Sequence, residues 1–162
     1  MINLIWAMDV NNLIGNGNKL PWRYKEDLIY FKRTVENKTV LMGYLTYLSL
    51  KSYYKEKPFP YGKIFVCSLE KVQIEDSNVI IINDVVSFLK NYNEELFVIG
   101  GLAIYKLALP YANNLYITHI KNAYKGNVYF PKLDFSRYKI IYNKETKDLI
   151  FRVYQKEEGK WF

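Results

Sequence analysis

The sequence predicts an α/β fold: a three-layer sandwich with a central, mostly parallel eight-stranded sheet, an antiparallel C-terminal hairpin and about four flanking helices. Two observations predict it. Short apolar runs rich in branched and aromatic residues, such as Val40-Leu41-Met42 and Phe97-Val98-Ile99, alternate with stretches of helical periodicity. Strand-helix-strand order favours parallel strands covered on both faces, because each crossover helix must lie on the sheet. The last two runs, 138–142 and 150–155, instead show the in-out alternation of antiparallel pairing.

The elements follow in order. The chain enters a strand pattern at once, over 2–8, so no signal peptide is expected. Ile14-Gly15-Asn16-Gly17-Asn18-Lys19-Leu20-Pro21-Trp22 reads as a flexible, glycine-hinged loop closed by Leu-Pro-Trp. A helix over 24–35 places Asp27, Leu28, Phe31 and Val35 at helical spacings, with Glu26, Lys32, Arg33 and Glu36 on the wetter side. Strands are expected at 39–42, 63–67, 79–82, 96–99 and 115–120, and helices at 44–50, 85–92 and 102–109. The loop from 52 to 61, rich in tyrosine, lysine and proline, is the least predictable region. No linker, repeat or low-complexity segment intervenes, so residues 1–162 read as one domain.

Composition narrows the function classes. A chain of 162 residues, half of them apolar, can bury roughly 70% of its unfolded surface. No run approaches the ~20 apolar residues of a membrane span. The formal charge is +7, but the lysines are scattered singly or in short groups (Lys51, Lys55, Lys57; Lys144, Lys147) rather than in a run that tracks a phosphate backbone. Neither a nucleic-acid nor a membrane partner is expected. The single cysteine, Cys67, cannot form an internal disulfide and reads as a small core residue; this suits a reducing cytoplasm. The only histidine, His119, has no cysteine or acid at ligand spacing, so it reads as structural and no metal is expected.

Three places carry candidate chemistry. Asp27 and Phe31, four apart, share one helix face, and a carboxylate between Leu28 and Phe31 is desolvated. An acid in the first turn also complements the helix dipole, a job Glu26 does equally well while facing solvent. A desolvated acid has a raised pKa, which suits it to hold a protonated or amino-bearing ring. The second place is Ile99-Gly100-Gly101 running into Leu102-Ala103-Ile104-Tyr105, a strand, two glycines and a helix start. The third, Met42-Gly43 before Tyr44-Leu45-Thr46, has the same form, and Thr46 adds a hydroxyl donor. Helix N-termini cradle phosphates, and two such junctions on one sheet edge suit a diphosphate-bearing cofactor. Neither is the G-x-G-x-x-G dinucleotide fingerprint.

Taken in order, Ile5-x-Ala7, Ile14-Gly15, Leu20-Pro21-Trp22, Asp27, Phe31, Met42-Gly43 with Thr46, Ile99-Gly100-Gly101 with Tyr105, the Leu115–Ile120 run, and Gly126 leading to Phe130-Pro131 resemble dihydrofolate reductase along the whole chain. The resemblance implies reduction of dihydrofolate by NADPH; a monomer is expected because no long hydrophobic exposed stripe is evident. It implies that Asp27 binds the pterin amino group and adjacent ring nitrogen, with Thr118 bridging to the same carboxylate. Trp22 would order water near Asp27, and Leu20 would close over the ring. Ile5, Ala7, Leu28 and Phe31 would line the substrate slot, with Lys32 and Lys63 towards the substrate's carboxylate tail.

For the cofactor the resemblance implies Ala7, Ile14, Gly15, Asn18 and Lys19 from the first strand and loop. Gly43, Tyr44, Leu45 and Thr46 would serve from one junction. Ile99, Gly100, Gly101, Leu102, Ala103, Ile104 and Tyr105 would serve from the other, with Ser68 and Leu69 at the adenosine end.

Three departures from the family pattern stand out. Gly62 or Lys63 stands where a carboxylate-gripping arginine is usual. Tyr44, Leu69 and Ala103 stand where basic or polar groups often meet the cofactor's 2′-phosphate, and Trp6 replaces a small residue, pointing away from Ile5 and Ala7 by alternation. The alternatives these leave open are a related pterin reductase or NADH-using enzyme, and a non-catalytic folate- or nucleotide-binding protein.

Overall fold

A computed structural model describes residues 1–157. Eight strands form one sheet: β1 (Ile2–Met8), β3 (Val40–Gly43), β4 (Ile64–Cys67), β5 (Val79–Ile82), β6 (Leu96–Val98), β7 (Asn114–Ile120), β9 (Tyr138–Glu145) and β10 (Leu149–Lys156). Two short strands, β2 (Leu13–Gly15) and β8 (Val128–Tyr129), pair separately. The helices are α1 (Lys25–Val35), α2 (Tyr44–Tyr54), α3 (Val85–Asn91) and α4 (Leu102–Ala108). The main sheet runs β5-β4-β3-β6-β1-β7-β10-β9. Every pairing from β5 to β7 is parallel, and β10 runs antiparallel to both β7 and β9. The expected sheet and hairpin are therefore present.

Alternation along the strands builds the layers. Ile2, Leu4, Trp6 and Met8 of β1 face the core shared with Val85 and Leu89 of α3 and Ile104 and Ala108 of α4. Ile5 faces the other way, into the core that holds Val35 of α1 and Tyr47 of α2. Trp6 fills space as its parity requires: its ring stacks on Phe130 with centroids 4.1 Å apart. His119 is structural too. Its Nε2 lies 2.9 Å from the Tyr154 hydroxyl, and burial with the nearby Arg152 charge pushes its pKa down to about 4.

Several elements differ from expectation for physical reasons. Helix α2 runs to Tyr54 rather than stopping near 50, because aromatic residues of the loop that follows pack against its last turns. Phe59 packs against Tyr47, Tyr54 and Tyr61 at centroid distances of 5.9, 5.4 and 5.9 Å. Strand β9 extends three residues past the expected end to pair with β10 through a tight turn. Cys67, expected in the core, is only half-buried at the end of β4, packed against the α3–α4 core.

The small β2–β8 sheet was not expected, since strands of three and two residues carry no period. It depends on Gly126: a Cβ there would sit 2.5 Å from the Gly15 carbonyl oxygen. Asp9, which ends β1 and is 3% exposed, ties this region together. Its Oδ1 accepts the Asn11 and Leu13 N–H groups at 2.8 and 2.9 Å, and its Oδ2 accepts that of Tyr124 at 2.9 Å.

Replacing Asp9 by alanine leaves those three donors without their acceptor. Stability should fall by about 2–4 kcal/mol in denaturant titration, since each buried unpaired donor costs about 1–3 kcal/mol. An unchanged midpoint would mean the carboxylate is not the tie.

Candidate active site

Asp27 sits in the first turn of α1 beside Glu26, half-buried where the helix meets the sheet. Opposite it is Thr118 of β7, 3% exposed, whose register pairs it with Ala7 of β1 and Phe151 of β10. The Thr118 hydroxyl donates to the Asp27 carboxylate. Three effects act on that acid. Desolvation raises its pKa above the ordinary 3.8, the Thr118 hydrogen bond opposes this, and the neighbouring Glu26 charge adds to the rise; the net shift is upward. Phe31, one turn on, packs into the core that contains Ile5. Leu28 flanks it at 41% exposure, an apolar group facing open space beside the acid.

Trp22 is 7% exposed, edge-on to Tyr124 at 5.5 Å. Its indole N–H is buried without a protein acceptor, so it can serve a water or ligand atom. The loop before it is more ordered than a free hinge. Asn16 and Lys19 exchange backbone hydrogen bonds of 2.8 and 3.1 Å, closing a turn in which Gly17 takes a positive φ of 62°. The Gly17 N–H donates to Asn127 Oδ1 at 2.7 Å. Asn127 is a positioning residue that pattern reasoning missed, because nothing in the local sequence links it to a loop 110 residues earlier. Leu20 stands 60% exposed at the end of this loop.

The two glycine junctions meet. Strands β3 and β6 are neighbours, and at their carboxyl ends the Gly43 N–H donates to the Gly100 carbonyl at 2.9 Å. A Cβ on Gly43 would lie 3.2 Å from Ile104, and one on Gly101 would lie 3.4 Å from the Thr46 hydroxyl. Gly100 has φ 125°, and the Gly100–Gly101 peptide is cis. Gly43 and Gly101 are the N-caps of α2 and α4, and neither offers a side chain to the first-turn N–H groups. Two uncapped helix starts, side by side and bare of side chains, fit a diphosphate. Tyr105 is buried behind them, its hydroxyl donating to the Ile5 carbonyl at 2.7 Å, so it braces β1 against α4.

The structure gathers the other sequence-predicted residues less tightly. Ile14, half-buried, packs against the α3–α4 core, and Ile99 is buried at the end of β6. Leu45 and Leu69 are 77% and 89% exposed, and Asn18, Lys19 and Ala103 are also on the surface. The Ser68 hydroxyl is engaged, donating to the Glu70 carbonyl at 2.9 Å. Lys32 and Lys63 are exposed. Gly62 has no room for a side chain: a Cβ would meet the Asn37 carbonyl at 2.9 Å. Of the two candidates there, Lys63 alone can offer a charge. Among the described residues no group of His, Cys, Asp or Glu could hold a metal ion, and no helix is long and apolar enough to cross a membrane.

Gly100→Ala tests the junction. Its φ of 125° is unfavourable for any residue with a Cβ, so we expect about 1–3 kcal/mol of lost stability. Cofactor affinity should fall with it, read by tryptophan quenching; unchanged stability and affinity would contradict the close-packed junction.

Comparison with known proteins agrees with this layout. The family model described as dihydrofolate reductase matches residues 1–156. A dihydrofolate reductase of Buchnera aphidicola subsp. Acyrthosiphon pisum is 41% identical, over 90% of this chain and 88% of its own. One of Bacillus subtilis is 37% identical, over 91% and 86%. In structure, a dihydrofolate reductase from Enterococcus faecalis complexed with NADP(H) and RAB-propyl superposes with a TM-score of 0.80, covering 98% of this chain and 97% of that one; at 24% identity this likeness speaks to the fold. The match along nearly the full length, joined to the acid on α1 and the paired glycine junctions, leads to one conclusion: the chain belongs to the dihydrofolate reductase family.

Proposed function

We propose that this protein reduces 7,8-dihydrofolate to 5,6,7,8-tetrahydrofolate with NADPH, and that Asp27 anchors the pterin. The observation that carries the reading is a desolvated carboxylate, hydrogen-bonded to Thr118, on the sheet edge that also holds two uncapped, glycine-lined helix starts. On this reading the protein acts on small-molecule ligands, as a single-domain monomer in the cytoplasm.

NADPH, when bound, supplies the hydride that the ring carbon receives. The protein's groups do the rest. The Asp27 carboxylate accepts hydrogen bonds from the pterin amino group and its adjacent ring nitrogen, and Thr118 fixes the carboxylate's orientation from behind. Burial keeps the Asp27 proton affinity high, which favours protonation of the ring nitrogen beside the reacting carbon, relayed through water held by the Trp22 N–H. Ile5, Ala7, Leu28 and Phe31 give the ring an apolar slot. The loop through Leu20 covers the ring and excludes solvent. Lys32 and Lys63 draw the substrate's anionic tail as point charges, without the paired grip an arginine makes. Thr46 and the first turns of α2 and α4 hold the diphosphate, with Gly43, Gly100 and Gly101 permitting its close approach.

The direct assay mixes purified protein with dihydrofolate and follows NADPH oxidation. Dihydrofolate-dependent oxidation is expected; its absence would defeat the reading. Because the ring nitrogen must gain a proton at this site, turnover should fall as pH rises through the raised Asp27 pKa. Asp27→Asn should cost about 10²–10⁴ in turnover at neutral pH. The same raised pKa means the native state holds this proton more tightly than the unfolded chain. That stabilisation is complete below 3.8 and is lost as pH rises through the folded-state value, so Asp27→Asn should melt higher than the parent at neutral pH. Full activity in the variant would show that the acid is misassigned.

Leu69 stands exposed where a cation would meet the 2′-phosphate. Leu69→Arg should lower KM for NADPH about 3–10-fold and leave KM for NADH unchanged, as a new charge-assisted contact predicts. Equal changes for both cofactors would place Leu69 away from that phosphate.

A further inference from the structure

Helix α1 has a second working face. Asp27, Leu28, Phe31 and Val35 lie on the side described above. Glu26, Ile29, Tyr30, Arg33 and Thr34 lie on the other, separated by helical geometry, and they form one wall of a cavity of about 680 Å³. The opposite wall is sheet: Tyr116 of β7, Phe151 and Val153 of β10, and Ile141, Tyr142 and Lys144 of β9. The volume falls within the roughly 300–1,000 Å³ of small-molecule sites. None of the residues assigned above to pterin or cofactor lines it.

The lining specifies a chemistry. Tyr30 leans on Phe151 with centroids 4.5 Å apart, and Tyr116 and Tyr142 complete an aromatic surround. Ile29, Ile141 and Tyr142 are 41, 50 and 44% exposed, a large apolar surface left wet at the mouth. The charges are lopsided. Glu26 is the only acid in the lining, and its Oε1 accepts from the Thr146 hydroxyl at 3.0 Å across the end of the cleft. Arg33 and Lys144 are exposed cations, and among the described residues neither forms an ion pair. The Tyr30 hydroxyl, pushed up to about 12 by burial and neighbouring phenols, stays protonated as a donor. An aromatic slot with two unpaired cations at its rim is complementary to a ring system bearing one negative group.

We infer that the cleft between α1 and the β9–β10 hairpin is a second small-molecule site, separate from the catalytic cleft, that takes a flat aromatic anion.

The test uses two dyes of the same ring system, the anionic 8-anilinonaphthalene-1-sulfonate and the neutral N-phenyl-1-naphthylamine. Each is titrated by fluorescence into the protein saturated with NADP⁺ and folate, which fill the catalytic cleft. The expected result is one saturable anionic dye per chain, bound about tenfold tighter than the neutral one. Both cations are exposed, so the double variant R33E/K144E should keep the fold, checked by circular dichroism, while losing that tenfold advantage and retaining neutral-dye binding. The inference is overturned if the saturated protein binds no anionic dye, if the two dyes bind equally, or if charge reversal changes nothing. Should folate and NADP⁺ themselves fail to bind, the reading of the catalytic cleft falls separately. The dye comparison and the charge reversal are then run on the free protein, and the same results decide.

Discussion

The arrangement of this site depends on one costly placement: a carboxylate taken out of water and held by a single buried hydroxyl. Asp27 lies where desolvation works against its charge, and among the described residues the Thr118 hydroxyl is the side chain that offsets it. Thr118 is in turn set by the sheet. It pairs with Ala7 on one side and Phe151 on the other, so shifting β7 by one residue would turn the hydroxyl to the far face. The parallel β1–β7 pairing and the antiparallel β7–β10 pairing are both needed to aim one oxygen. A carboxylate this poorly satisfied by its own chain can accept from an external partner with donors to offer, as the proposed function requires.

The cofactor side works by subtraction. Gly43 and Gly101 leave the helix starts of α2 and α4 uncapped, and Gly100 brings the two junctions into direct hydrogen-bond contact. A side chain at Gly43 would crowd Ile104, at 3.2 Å, and one at Gly100 would be strained by its positive φ of 125°. Tyr105 then links the two halves, since its hydroxyl ties α4 to the backbone of Ile5, whose side chain faces the α1 core.

Much of this was legible in the sequence, and the limits have physical causes. Alternation in Ile2–Met8 told the two cores apart, and it put Trp6 and His119 on the face opposite Ile5 and Thr118. Asp27 stood out because an acid recurred at apolar helical spacing. What escaped were features made by distant partners or by very short elements. The β2–β8 sheet has too few residues to show a period. Asp9 looks like any loop acid until Tyr124 folds back onto it, and Asn127 acquires its role from Gly17. The end of α2 is invisible to local propensity because Tyr47, Tyr54, Phe59 and Tyr61 stabilise one another in space. Of the cleft-facing side of α1 the pattern marks only Glu26 and Arg33, as part of the wetter side, because it takes the sheet opposite to make a cleft.

The measurement that bears most directly on the account is a titration of the Asp27 carboxyl carbon by ¹³C NMR in the ligand-free protein. A pKa above the ordinary 3.8, moving further up in Thr118→Val as the opposing hydrogen bond is lost, is the predicted result. A value at or below 3.8, or one indifferent to Thr118, would show a solvated carboxylate and contradict the desolvated acid on which the proposed chemistry rests.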